Sequence, residues 1–216
     1  MKKTTTIAVL LVLLTLGATT AQAQENSKFW VMPQVGYRTT GSFAISGETV
    51  AFTTLKLEDG IAYGLTFGYR FHEAVAVEGT WSRSHSGMVG VFPADPATPD
   101  EKLFNVNEDQ FQANLLVSTG YVIGKVKPYF LIGLGVTSVN PSGDISGATR
   151  LAWNMGLGFD GMVSKKIGLR GQVKLIPTHI NNMEAILTEW DGGALTTSLR
   201  NTMTQWEFTL GLVYHF

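Results

Sequence analysis

Four histidines, no cysteine and seventeen acidic residues bound the chemistry open to this chain, because imidazole alone titrates near neutral pH and no thiolate exists to act as nucleophile or metal ligand. His85 stands between two hydroxyls in Arg83-Ser84-His85-Ser86, the composition of a nucleophile beside its base. Adjacent strand residues project to opposite faces, so neither serine reaches the ring unless the strand ends first. His72 and His215 fit interfacial or solvated groups. His179 has only scattered acids downstream, Glu184, Glu189 and Asp191, which fits a solvated loop. With no phosphate-cradling glycine motif or metal-ligand spacing, no catalytic residue, metal or cofactor is assigned.

The charged residues form a more coherent set. Arg38, Arg70, Glu78, Lys127, Asp160, Arg170, Lys174 and Glu207 all fall on the polar face of alternating segments. Pairing through the turn at Ser164 to Lys166 puts Asp160 nearly opposite Arg170. The turn after Phe71 brings Arg70 diagonal to Glu78, and Glu207 falls between Lys174 and Arg38. Enclosed together, these groups would make either a salt-bridged plug or a narrow gated ion path.

Strands must position them. The last stretch, Gln205 to Phe216, alternates to its final residue: Trp206, Phe208, Leu210, Leu212, Tyr214 and Phe216 oppose Gln205, Glu207, Thr209, Gly211, Val213 and His215. Seven earlier segments repeat the pattern: Phe29 to Thr39, Gly60 to Phe71, Val75 to Ser82, Glu108 to Val122, Val126 to Thr137, Leu151 to Asp160 and Ile167 to Leu175. Pro33 deletes a ladder donor, so a bulge or kink is expected there. Short turns at His72-Glu73, Gly124-Lys125 and Ser164 to Lys166 alternate with long connections, Thr40 to Asp59, Ser84 to Asn107, Asn140 to Arg150 and Pro177 to Thr202. That cadence predicts an all-β, eight-stranded antiparallel up-and-down barrel.

The polar face decides which side is out. It is rich in glycine (Gly36, Gly64, Gly68, Gly133, Gly135, Gly156, Gly158, Gly168 and Gly211) where a soluble barrel would present charge to water. Small residues beside a few long charged ones suit a narrow interior. The aromatics sort into two belts, Tyr37, Tyr63, Trp81, Phe111, Trp153 and Trp206 at the long-loop end, and Phe29, Tyr69, Phe71, Tyr121, Phe130, Tyr214 and Phe216 at the other. Such belts mark the two interfaces of a transmembrane barrel, whose lipid is then the first partner.

Residues 1–23 have the form of a cleaved signal peptide, with Lys2 and Lys3, an apolar run from Ile7 to Gly17, and Ala21-Gln22-Ala23. The barrel domain is then 24–216. Losing Lys2 and Lys3 takes two of the 16 basic residues and leaves 17 acids, so nucleic acid is excluded as a partner. In the loops, Asp95, Asp100, Glu101, Glu108 and Asp109, with Glu48, Glu58 and Asp59, make an acidic rim open to divalent cations, a basic partner or plain solvation. Val89, Val91 and Phe92, beside Pro93, Pro96 and Pro99, give one loop apolar content suited to an interaction surface.

The leader, the eight strands, the alternating connections and the closing LGLVYHF resemble the small outer-membrane barrels of the OmpA and OmpX type over essentially all of Phe29 to Phe216. That resemblance implies a monomeric outer-membrane protein and assigns Tyr214 and Phe216 to recognition by the barrel-insertion machinery. It implies no single activity, since the family includes adhesins, structural barrels, narrow channels and lipid-modifying enzymes. The lipid A deacylase type carries His-x-Ser, from which Ser84-His85-Ser86 departs. A structural or surface-interaction role with an unidentified extracellular ligand is the first expectation, and a gated channel or a lipid-modifying enzyme are the alternatives.

Overall fold

The computed structural model describes residues 28–40, 42–44, 54–91, 101–118, 122, 126–143, 147–181 and 200–216. Its strands are β1 (Phe29–Thr40), β2 (Ser42–Ala44), β3 (Thr54–Leu57), β4 (Gly60–His72), β5 (Val75–Val91), β6 (Glu101–Ser118), β7 (Val126–Pro141), β8 (Ala148–Met162), β9 (Ile167–Asn181) and β10 (Arg200–His215). Each long strand pairs antiparallel with the next, and β1 pairs with both β4 and β10. Eight strands therefore close into a ring in the order β1-β4-β5-β6-β7-β8-β9-β10. The short β2 and β3 pair with each other, and β3 pairs with the end of β5, so they carry the first hairpin onward beyond the ring.

Period-two alternation becomes inside and outside. Along β10 the exposed residues are Trp206, Phe208, Leu210, Leu212 and Tyr214, and the buried ones Gln205, Glu207, Thr209, Gly211, Val213 and His215. Most of the large apolar side chains face outward, and arginine, lysine, glutamate and glutamine lie buried within. That inversion of a soluble core requires an apolar medium outside. A small apolar cluster lies toward the short-turn end of the interior: Trp30, Met32, Ala76, Leu116, Tyr129, Leu131 and Val213.

Two local expectations are corrected. Pro33 causes no register shift: Val31 faces Tyr214 and Gln34 faces Gly211, so the ladder to β10 only skips Met32 and Pro33. On the other side Pro33 still faces Leu65, because a missing N–H affects one neighbour only. The irregularities fall instead between Arg70 and His72 and between Met88 and Val89. The first turn is Glu73-Ala74, since His72 still pairs with Val75.

The strands also run well into the connections expected to be loops. β5 continues to Val91, β6 begins at Glu101, β7 reaches Pro141 and β9 reaches Asn181. Beyond the apolar zone nothing forces a greasy face outward, so the ladder persists where the sequence pattern fades. His179 consequently lies on β9 with its ring exposed. The leader, Tyr121, the Gly124-Lys125 turn, Glu48, Phe92, Pro93, Asp95, Pro96, Pro99, Asp100, Glu184, Glu189 and Asp191 lie outside the described residues.

Candidate functional site

Arg38, Glu207 and Lys174 are direct cross-strand neighbours on β1, β10 and β9, across the seam where the barrel closes. Glu207 Oε1 is 2.6 Å from Lys174 Nζ, and Oε2 accepts from Arg38 Nε at 3.0 Å and also from Arg38 Nη2. Arg38 further donates to Ser84 Oγ at 2.9 Å and Ser82 Oγ at 2.6 Å, both on β5. Its Nη1 lies 3.4 Å from Glu108 Oε1 on β6. Glu108 in turn accepts from Gln110 Nε2 and Gln205 Nε2, each at 2.8 Å. All these side chains are buried.

The second cluster lies toward the short turns. Arg170 on β9 grips its cross-strand neighbour Asp160 with two hydrogen bonds, 2.5 Å from Nε and 2.9 Å from Nη2. Its Nη1 donates to Glu78 Oε2 on β5 at 2.8 Å. Glu78 Oε1 accepts from Asn114 Nδ2 at 3.1 Å, and Asn114 Oδ1 accepts from Asn154 Nδ2 at 2.8 Å. The guanidinium also sits 5.0 Å from the Trp30 ring and 5.1 Å from the Tyr129 ring, within cation–π range.

Each cluster therefore joins opposite walls. In a ring of eight, β6 and β10 stand four strands apart, as do β5 and β9. Glu108 with Gln205 spans the first diameter, and Glu78 with Arg170 the second. Between them lies a layer of smaller polar groups, with Thr66 and Thr80 hydroxyls 3.0 Å apart. Gln34, Gln172 and Thr209 there hold buried polar atoms without a hydrogen-bond partner among the described residues.

Several placements expected from alternation and turn spacing change once the strands close up. Glu108, expected in a solvated acidic rim, is fully buried beside Arg38. Its parity with inward Gln110, two residues on, was the signal that could have found it. Asp109 is not a loop acid either: it accepts two hydrogen bonds from Arg83, each 2.8 Å, on the outside of the β5–β6 hairpin. Arg70 does stand diagonal to Glu78 across β4 and β5, but it stacks over Trp30 at 5.7 Å, and the Glu78 carboxylate is taken by Arg170 and Asn114. Lys127 reaches the backbone carbonyl of Glu73 at 2.6 Å. Glu58 is paired with Lys102 at 3.6 Å.

The histidine alternatives separate by geometry. His85 faces outward, with Nδ1 against Asn107 Oδ1 and Nε2 3.4 Å from Tyr63 Oη. Ser84 faces the lumen and gives its oxygen to Arg38, so the two sit on opposite sides of the wall. Ser86 is likewise one residue along on the other face. Tyr214 and Phe216 are exposed on the outer surface at the short-turn end, their rings 5.1 Å apart and edge to face. No cluster of three metal-ligating side chains occurs among the described residues.

Comparison with known proteins agrees with this architecture. Neisserial surface protein A has a similar structure at 12% identity, covering 87% of this chain and 97% of its own, with a TM-score of 0.58. The outer membrane protein OprG from Pseudomonas aeruginosa does so at 16% identity, covering 90% and 99%, with a TM-score of 0.61. At such identities the likeness is one of fold. No curated protein sequence matches the chain. The family model for the outer membrane protein beta-barrel domain matches residues 8–216, and with a closed eight-stranded ring that is apolar outside and charged within, this chain belongs to that family and resides in the bacterial outer membrane.

Proposed function

We propose that the protein is a structural and surface-interaction barrel whose lumen is plugged by its own side chains. The observation that carries this is the pair of diametric bridges, Glu108 to Gln205 and Glu78 to Arg170. An eight-stranded interior is just wide enough for side chains, and these bridges occupy it at two heights. The β5–β6 hairpin supports the second half of the proposal. It stays paired from Trp81 to Gly90, about 30 Å along the strand at roughly 3.3 Å per residue, which is far more than closing a turn requires. A ladder carried so far past the aromatic belt presents a stable surface outside the membrane to an extracellular ligand. Tyr214 and Phe216, held outward at the chain end, fit a role as the signal read by the insertion machinery.

Planar-bilayer recording tests the plug: the wild-type barrel gives no steady ohmic current, and a steady current would overturn it. The gated-path alternative draws on the unpartnered polar atoms of Gln34, Gln172 and Thr209 between the two clusters, which would favour ordered water at mid-lumen. Transient openings that vanish when Arg38 or Arg170 is exchanged for neutral residues would support that alternative instead.

A further inference from the structure

Below the second cluster, the lumen opens toward the short turns through a small chamber of about 20 Å³ lined by Trp30, Arg70, Lys127, Tyr129, Asp160 and Arg170, among others. In an outer-membrane barrel the short turns face the periplasm. A volume of this size admits a single water molecule or small ion. Its chemistry is lopsided. Trp30 Nε1 and Tyr129 Oη are buried and have no hydrogen-bond partner among the described residues, although both residues are at least nine-tenths buried. Both are donors, and a buried donor left unpaired is costly.

The charges around the chamber lean the same way. Asp160 has both oxygens committed to Arg170, and Glu78 behind it is shared between Arg170 and Asn114. Arg70 lies over the indole of Trp30, and Lys127, the cross-strand neighbour of Asp160, donates to the Glu73 carbonyl. Among the described residues, no carboxylate stands within 4 Å of either cation. The carboxylate of Glu73 is in the turn and exposed. Three cations thus share two engaged carboxylates and the exposed one of Glu73 at the chamber's edge, and the two buried uncommitted groups, on Trp30 and Tyr129, are donors.

We propose that this chamber binds a chloride-sized inorganic anion from the periplasm. Arg70 and Lys127 supply the charge, and the Trp30 indole N–H and Tyr129 hydroxyl supply directed hydrogen bonds. A cation is repelled by the same groups, and water satisfies the two donors without answering the charge. The site is independent of the plug above it, because a blind vestibule and a conducting lumen would present the same mouth.

Chloride is the probe. In the refolded barrel in detergent, the Trp30 indole proton and nitrogen resonances, assigned by Trp30→Phe, are followed as chloride replaces gluconate at constant ionic strength. The expected result is a saturable shift confined to Trp30 and its neighbours. That shift is lost in Tyr129→Phe, which keeps the ring and removes the donor, and in Arg70→Gln and Lys127→Gln. No shift, a shift that rises without saturating, or a saturable shift retained in all three variants would overturn the proposal and leave a bridging water as the occupant.

Discussion

Arg170 and Glu78 meet at 2.8 Å from opposite walls of the barrel, both side chains almost wholly removed from solvent. The pair is possible only because the ring closes with β9 facing β5 across the lumen. Arg170 also holds Asp160 on the adjacent strand, so one guanidinium ties three strands. The seam carries a matching device in Arg38, Glu207 and Lys174. Taking ions out of water is costly unless each is paired and hydrogen-bonded, and these are both.

The first expected outcome concerns the seam. Glu207→Ala leaves Arg38 and Lys174 facing each other, relieved only by Glu108 at 3.4 Å from Arg38. The loss is about 3 kcal/mol, the lower range for breaking a buried pair. Glu58→Ala, which removes a half-exposed partner of Lys102, costs less than about 1 kcal/mol. Urea unfolding midpoints of the refolded variants check the contrast, and equal midpoints would refute it.

Two glycines give opposite outcomes for one substitution. At Gly68 a Cβ would stand 2.0 Å from the Trp30 ring, whereas at Gly79 it meets nothing within 4 Å. Gly68→Ala must displace a buried indole and costs about 1–3 kcal/mol. Gly79→Ala is neutral or slightly stabilising, since alanine has less freedom to lose on folding. Thermal unfolding of the two variants side by side reads the difference, and the Gly68 variant also disturbs the chamber beneath Trp30.

Asp109 sets a pH dependence at the outer hairpin, in the cross-strand row of Tyr63 and two residues beyond the Trp81–Phe111 pair. Hydrogen bonds from Arg83 hold its carboxyl below the usual carboxylate range, and Trp81 Nε1 adds a further bond at 3.1 Å. A carboxyl lowered in the folded state stabilises it above the ordinary carboxylate pKa, and that contribution disappears as pH falls through the lowered value. Carboxyl NMR titration should therefore place Asp109 low in the wild type and move it upward in Arg83→Gln.

His85→Ala is expected to leave outer-membrane lipid unchanged, as judged by mass spectrometry of lipid from cells carrying either form. The ring faces outward against Asn107 and Tyr63, and the Ser84 hydroxyl lies inside on Arg38. A difference in acylation between the two would restore the enzymatic alternative.

Alternation is a local property, and it was legible residue by residue. Phe208 and Glu207 must point to opposite faces of any strand that contains them, so eight strands, an apolar outside, a glycine-rich charged inside and membership of an outer-membrane class could all be read along the chain. Neighbouring strands were nearly as legible where a short turn sets the register, which is why Asp160 opposite Arg170 could be seen through the turn at Ser164 to Lys166. What lies across the lumen is different in kind. Glu78 reaching Arg170 in place of Arg70, and Glu108 turning inward to Arg38, depend on the closure of β1 on β10 and on strands persisting past the membrane. Glu78 and Arg170 stand 92 positions apart in sequence, and no periodicity along one strand encodes their meeting. Such contacts arise when the ring closes, because its diameter, and with it the choice of partner on the far wall, is fixed by all eight strands together.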